Sequence, residues 1–335
     1  MAAAGVGKTI HRRHMTAVQS MRDLLRKLRR LEFRLGPKVW KEPDFCGLRI
    51  DETGSVVHIS VGGMASGIET RIAAKLKSTM KRERLCLGAT EHTGETRLQG
   101  FSAGDSAYSA PCDCAASRDT IRDSNGTIGW FVLLDDVPVG IGSQHAFCVD
   151  GRSRYSCIYQ YDDLGRNEPL IGREWSSLQS SSGRRLFDCS LVRVADPSQI
   201  SGRVRTVRDY LSPYPIALGN ASVLHQGQCF VILGKSRHGK PLTTTFRGVG
   251  SVRMKKDEPS AIFHEQLYFD VCTEGGDSGS VVVHTGTNTV VGLVLGISGA
   301  FTIANPLYRK RWRFVGLRMV DGVVLPLLRS KRHAA

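Results

Sequence analysis

The 335-residue chain has no apolar stretch that approaches the roughly 20 consecutive residues a membrane-spanning helix needs. Nor does the segment Met1 to Lys8 open onto the apolar core of a secretory signal. These two absences set the expectation of an intracellular, cytoplasmic protein with no transmembrane segment. Acidic residues are also in deficit, 31 against 46 basic ones, for a formal net charge of +15. The imbalance belongs to the ends: residues 1 to 40 contribute +8 and residues 309 to 335 contribute +7, while residues 41 to 308 carry 28 charges of each sign. A body without net basic bias argues against nucleic-acid binding over the whole fold. An anionic surface or partner is expected to meet the termini instead.

A cysteine framework is missing as well. Nine cysteines, an odd number in scattered positions with Cys148, Cys189, Cys229 and Cys272 inside apolar runs, read as buried free thiols in a reducing compartment. Cys112 and Cys114 form the one close pair, and no second Cys/His pair stands nearby to complete a zinc site. No metal is expected.

What the chain does contain is glycine, 36 residues of it, spaced among short β-branched runs that favour an all-β body with frequent turns. The length suits two small domains, or one double-barrel unit with an extension. Ahead of that body, Met15, Val18, Met21, Leu24, Leu25, Leu28, Leu31 and Leu35 recur at three- and four-residue spacing among Arg22, Arg26, Lys27, Arg29 and Arg30. This predicts a basic amphipathic helix ending near Gly36 and Pro37, within an extension of residues 1 to 44. Three uses are open to it: docking on the body by its apolar stripe, contact with a membrane surface or nucleic acid, or organelle targeting. Residues 45 to 95 read as a small α/β segment, with a strand over 54–62 and a helix over 68–85.

The most specific chemistry lies in Gly275-Gly276-Asp277-Ser278-Gly279-Ser280, between apolar strand patterns at 266–272 and 281–284. Glycines on both sides allow backbone conformations closed to other residues, so that the N–H groups of Gly276 and Ser278 can converge on a developing oxyanion. Ser278 is the candidate nucleophile; a plain glycine-rich hairpin is the alternative. A serine hydroxyl needs a base, and the base needs an orienting carboxylate. Of ten histidines, His145 has the best-organised approach: a strand at 126–134, a turn at Asp135-Asp136, a second strand at 137–141, then Gly142-Ser143-Gln144. His58 and His92 come early enough, but stand in a strand and in a polar stretch. For the carboxylate, Asp188 precedes an alternating apolar strand, and Asp196 stands in a turn signal of its own.

The run Gly126 to His145 resembles the first-barrel hairpin of trypsin-like serine peptidases with the chymotrypsin fold, particularly bacterial-type members. The likeness extends to Leu186–Val194, Gly227–Gly239, Thr243–Gly250, Val290–Gly296 and Thr302–Pro306, and covers roughly residues 96 to 320. It implies two antiparallel β-barrels within residues 96–335, the first over about 96–200 and the second over about 201–320. It implies a triad of His145, Asp188 and Ser278, a pocket with its base near Cys272 and its wall at Leu295, Gly296, Ile297 and Ser298, a polypeptide substrate and no cofactor. No carboxylate stands at the pocket base, which argues against Arg or Lys preference. The sequence departs from secreted relatives after His145, where Ala146 replaces a half-cystine. Two rival readings are a catalytically silent relative that binds through this fold, and a nucleic-acid-binding protein that uses its basic ends.

Overall fold

A computed structural model describes residues 4–42, 44–62, 67–93, 106–111, 125–147, 156–160, 170–177, 187–197, 203–205, 211–213, 217–234, 241–253, 262–271, 273–308, 312–320 and 323–330. The chain opens with helix α1 (Ala4–Trp40). The long helix ends at Gly36, as the sequence suggests, and a second short helical stretch follows it to Trp40. Gly36 takes φ 68° and ψ 170°, which breaks the helix. Pro37 is tolerated there because the first residues of a helical turn have no intrahelical use for their N–H.

Met21, Leu24, Leu25, Leu28, Leu31 and Leu35 are all buried against the body, so the described part of α1 uses its stripe for docking. Met15 and Val18 lie outside the residues whose side chains are described. The basic face also docks: Arg26 and Arg30 pair with Glu83, Arg29 Nε donates to Glu265 at 2.6 Å, and Lys27 Nζ donates to the Gly54 carbonyl at 2.8 Å. No helix among the described residues is long and apolar enough to cross a membrane.

Next come β1 (Phe45–Asp51), β2 (Val56–Gly62), α2 (Ile68–Glu83), β3 (Cys86–Leu87) and β4 (Glu91–Thr93). Six strands then follow: β5 (Ser106–Pro111), β6 (Asn125–Leu134), β7 (Val137–Gly142), β8 (Ser156–Gln160), β9 (Leu170–Ser177) and β10 (Ser190–Val194), with the one-turn helix α3 (Gln144–Phe147) after β7. Asp135 and Asp136, both at positive φ, join β6 to β7 as a two-residue hairpin loop. After the short β11 (Arg203–Arg205), β12 (Leu211–Pro213) and β13 (Ala217–Leu218) come another six: β14 (Cys229–Leu233), β15 (Leu242–Arg253), β16 (Ile262–Phe269), β17 (Val281–His284), β18 (Thr289–Ser298) and β19 (Phe301–Pro306).

Each set of six closes on itself. The first runs β5-β6-β7-β10-β9-β8 and returns to β5, and the second runs β14-β15-β16-β19-β18-β17 and returns to β14. The two circuits have the same strand order, first-second-third-sixth-fifth-fourth. The chain is therefore an all-β body of two like barrels, with an N-terminal helix and a small α/β extension. Closure leaves neither barrel an open edge of its own. Strand β1 pairs with β15 and so attaches the extension to the second barrel's sheet. Strands β20 (Trp312–Val320) and β21 (Val323–Ser330) form a hairpin whose second strand runs parallel to β6, in the first barrel's sheet.

Side-chain alternation sorts the core. Ile128, Ala146, Phe147, Ile158 and Val192 fill the first barrel. Trp130, Val132, Val139, Ile141 and Leu191 of the first barrel meet Leu233, Val281, Val283, Val290 and Leu293 of the second in one cluster. That shared apolar layer holds the barrels together, and the candidate site lies along its margin.

Cysteine usage departs from the free-thiol expectation in two respects. Cys157 is disulfide-bonded, and Cys229 is a free but exposed thiol because the side chains of β14 alternate and its first residue faces outward. Cys189 is free and buried as expected. Cys112, Cys114, Cys148 and Cys272 lie outside the described residues. Among the described residues no cluster of ligands could hold a metal.

Candidate active site

His145 sits in α3, a single turn that follows directly on β7, and Asp188 stands two residues before β10. Strands β7 and β10 are antiparallel neighbours, with Gly142 opposite Ser190, so the barrel brings together residues 43 apart in sequence. The ring Nδ1 of His145 is hydrogen-bonded to Asp188 Oδ2, and the His145 backbone N–H donates to Asp188 Oδ1 at 3.0 Å. A carboxylate bound twice to one residue fixes both its position and its ring orientation. The other ring nitrogen, Nε2, is buried and makes no hydrogen bond among the described residues. Asp196, the alternative carboxylate, is exposed on the loop after β10.

The Gly-Gly-Asp-Ser-Gly-Ser segment folds as two successive turns. The Asp277 N–H donates to the Glu274 carbonyl at 3.2 Å, and the Ser280 N–H donates to the Asp277 carbonyl at 2.9 Å. Glycine is third in each turn, Gly276 at φ 101° and Gly279 at φ 93°, which is the residue and sign a type II turn demands. Asp277, fully buried, accepts the Glu274 N–H on Oδ2 at 3.0 Å, so its carboxylate has an internal partner.

This loop is pressed against the start of β6 in the other barrel. The Thr127 N–H donates to the Ser278 carbonyl at 2.8 Å, and Thr127 Oγ1 donates to the Gly276 carbonyl at 2.7 Å. A Cβ on Gly126 would overlap Ala146, one on Gly129 would overlap the Gly279 carbonyl, and one on Gly279 would overlap the Thr127 carbonyl. Three glycines thus permit a backbone approach that places the serine loop beside the turn carrying His145. Ser143 Oγ adds a further link, donating to the Val294 carbonyl of β18 at 2.9 Å.

Ser278 is itself fully buried, and its hydroxyl donates to the Leu295 carbonyl at a long 3.4 Å. Leu295 occupies a bulge in β18, where the register to β19 shifts between Val294 and Gly296. A bulge turns a peptide out of the ladder and so can aim its carbonyl at the loop. Leu295, Gly296 and Ser298 are buried and Ile297 partly so, while Cys272 lies outside the described residues. Beside them the Thr273 N–H donates to Thr302 Oγ1 at 3.0 Å. Burial and the neighbouring Asp188 push the Cys189 thiol far up, so it is no competing nucleophile.

The residues that bond the serine loop and β18 from the first barrel, Thr127 and Ser143, carry no distinctive signal in the sequence. Each is a short polar side chain within or just beyond an apolar strand.

No protein-family description matches the chain, and no curated protein sequence does. Similar solved structures include a glutamic-acid-specific serine protease, 18% identical with a TM-score of 0.42, where the match covers 61% of this chain and 92% of that one. A Nocardiopsis protease is 16% identical with a TM-score of 0.40, covering 62% of this chain and 91% of that one. Protease A of Thermobifida fusca is 14% identical with a TM-score of 0.41, again covering 62% and 91%.

Proposed function

We propose that the chain is a serine endopeptidase acting through Ser278, His145 and Asp188. The observation that carries this reading is the doubly bonded His145–Asp188 pair, with an unused and buried Nε2, in a barrel whose neighbour presents a serine between two glycine turns. In the reaction, the Ser278 hydroxyl leaves the Leu295 carbonyl, transfers its proton to His145 Nε2 and attacks a peptide carbonyl. Asp188 stabilises the imidazolium that forms. The N–H groups of Gly276 and Ser278 receive the oxyanion, a contribution for which loss of one donor typically costs about 3 to 4 kcal/mol. His145 then returns its proton to the leaving amine and activates the water that hydrolyses the acyl-enzyme. The substrate is a polypeptide, and a pocket with its wall at Leu295, Gly296, Ile297 and Ser298 and no carboxylate at its base near Cys272 favours a small or apolar side chain.

A fluorophosphonate probe tests the reading. Covalent labelling of the full chain that disappears in Ser278→Ala supports it; a folded wild-type chain that resists labelling under all conditions defeats it. The second reading is a catalytically silent binding relative, and two observations favour it: Ser278 is fully buried, and its hydroxyl points to a carbonyl instead of to the base. Catalytic hydrogen bonds often tighten only when substrate binds, and labelling decides between the two readings.

A further inference from the structure

Asp188 is held from the opposite barrel. Its backbone N–H donates to Asn305 Oδ1 at 2.9 Å, while Asn305 Nδ2 donates to the carbonyls of Asp188 and Leu293, each at 3.3 Å. Two carbonyls and one N–H surround this amide, which fixes which end is oxygen and which nitrogen. Asn305 is 1% exposed and Asp188 4% exposed, so none of these groups has water as an alternative partner. Asp188 stands two residues before β10 and has no strand partner among the described residues; the Asn305 amide bonds both its N–H and its carbonyl, as a residue of a neighbouring strand would.

The strand that receives Asn305 also carries the serine loop. Leu293 accepts from Asn305; the Val294 carbonyl accepts the Gly279 N–H at 2.9 Å, and its N–H donates to the Ser280 carbonyl at 2.8 Å; Leu295 accepts the Ser278 hydroxyl. Three consecutive residues of β18 therefore hold the clamp on the acid and the loop of the nucleophile. Along the chain Asp188 and Ser278 are 90 residues apart, but Asp188, through Asn305, and Ser278 are both tied to β18.

We propose that Asn305 is a positioning residue, which sets the register of the Asp188–His145 pair on the first barrel against Ser278 on the second. This rests on the peptidase reading for its consequence, although the positioning itself needs no turnover to be observed. An apolar replacement removes all three bonds. Replacement by Asp retains an acceptor for the Asp188 N–H but loses both donors and sets a carboxylate against two carbonyls.

The test uses the full-length chain and two readouts. The first is the proton resonance of the His145 Nδ1–H hydrogen bond, assigned by its loss in His145→Gln. The second is fluorophosphonate labelling, resolved into probe affinity and maximal rate. Asn305→Ala is expected to lose or broaden the resonance and to lower the maximal rate on the order of tenfold or more with affinity unchanged, as misplacement of a catalytic group does. A folded Asn305→Ala protein that keeps the resonance and labels at the wild-type rate overturns the proposal. If wild type is not labelled, the peptidase reading falls and the resonance alone decides the positioning role. If Asn305→Ala does not fold, Asn305→Asp is judged by the same two outcomes.

Discussion

The hydroxyl of Thr127, on the first barrel, donates to the carbonyl of Gly276, on the second, at 2.7 Å. The same residue's N–H holds the Ser278 carbonyl at 2.8 Å. One residue thereby bonds both turns of the serine loop. With Asp277 N–H bonded to Glu274, the peptide between Gly276 and Asp277 is pinned at both ends.

Thr127→Val keeps the shape and removes the donor, which leaves a buried carbonyl unsatisfied. A loss of about 1 to 3 kcal/mol is expected in urea unfolding, together with slower fluorophosphonate labelling. Thr127→Ser retains the hydroxyl and is expected to stay near wild type in labelling. Equal labelling in all three proteins would show that the bond has no bearing on the loop's reactivity.

Gly279→Ala and Gly227→Ala form an informative pair. Both glycines have positive φ, 93° and 81°, but a Cβ at Gly279 would overlap the Thr127 carbonyl, whereas one at Gly227 meets nothing within 4 Å. Gly227→Ala should cost only the backbone strain, about 1 to 2 kcal/mol. Gly279→Ala should cost clearly more in a denaturant titration and abolish labelling, because the barrels must separate locally to admit the methyl group.

Helix α1 can be tested on opposite faces. Leu28 and Leu31 are fully buried, and Phe33 is 90% exposed. Leu28→Ala or Leu31→Ala is expected to cost about 2 to 5 kcal/mol, and Phe33→Ala about 0.5 kcal/mol or less. Thermal unfolding distinguishes the two classes. Indifference to Leu28→Ala would mean that the helix does not dock in solution.

Glu174 gives a pH dependence with a defined sign. It is 4% exposed, and burial pushes its carboxyl up to about 7 despite the opposing hydrogen bond from Ser190 Oγ. A folded value above the ordinary 4.5 means that the folded chain holds this proton more tightly than the unfolded chain. The associated stability is complete below the ordinary value and is lost as pH rises through about 7. Urea midpoints should therefore fall between about pH 5 and pH 8 more steeply in wild type than in Glu174→Gln. Identical slopes would exclude Glu174 as the source.

The β-rich body, the hairpin at Asp135-Asp136 and the amphipathic helix were legible because each depends on residues a few positions apart. The same holds for the glycine-bracketed serine, where two turns need glycine at their third positions and the chain supplies Gly276 and Gly279. Cys229 was misread as buried, since an apolar run does not say which alternate side chains face outward. The disulfide at Cys157 was missed because pairing is a matter of distance, on which scattered spacing is silent.

By itself, then, the amino-acid sequence determined which local conformations each segment can adopt: strand alternation, positive-φ turns and one apolar helical stripe. Tertiary structure alone decided which side chains join the barrels. Thr127, Ser143 and Asn305 are ordinary polar residues along the chain, and only closure of two like circuits around a shared apolar layer sets them against Gly276, Val294 and Asp188. The reason is physical: a hydrogen bond across an interface depends on relative placement of two sheets, and that placement comes from the packing of the whole core.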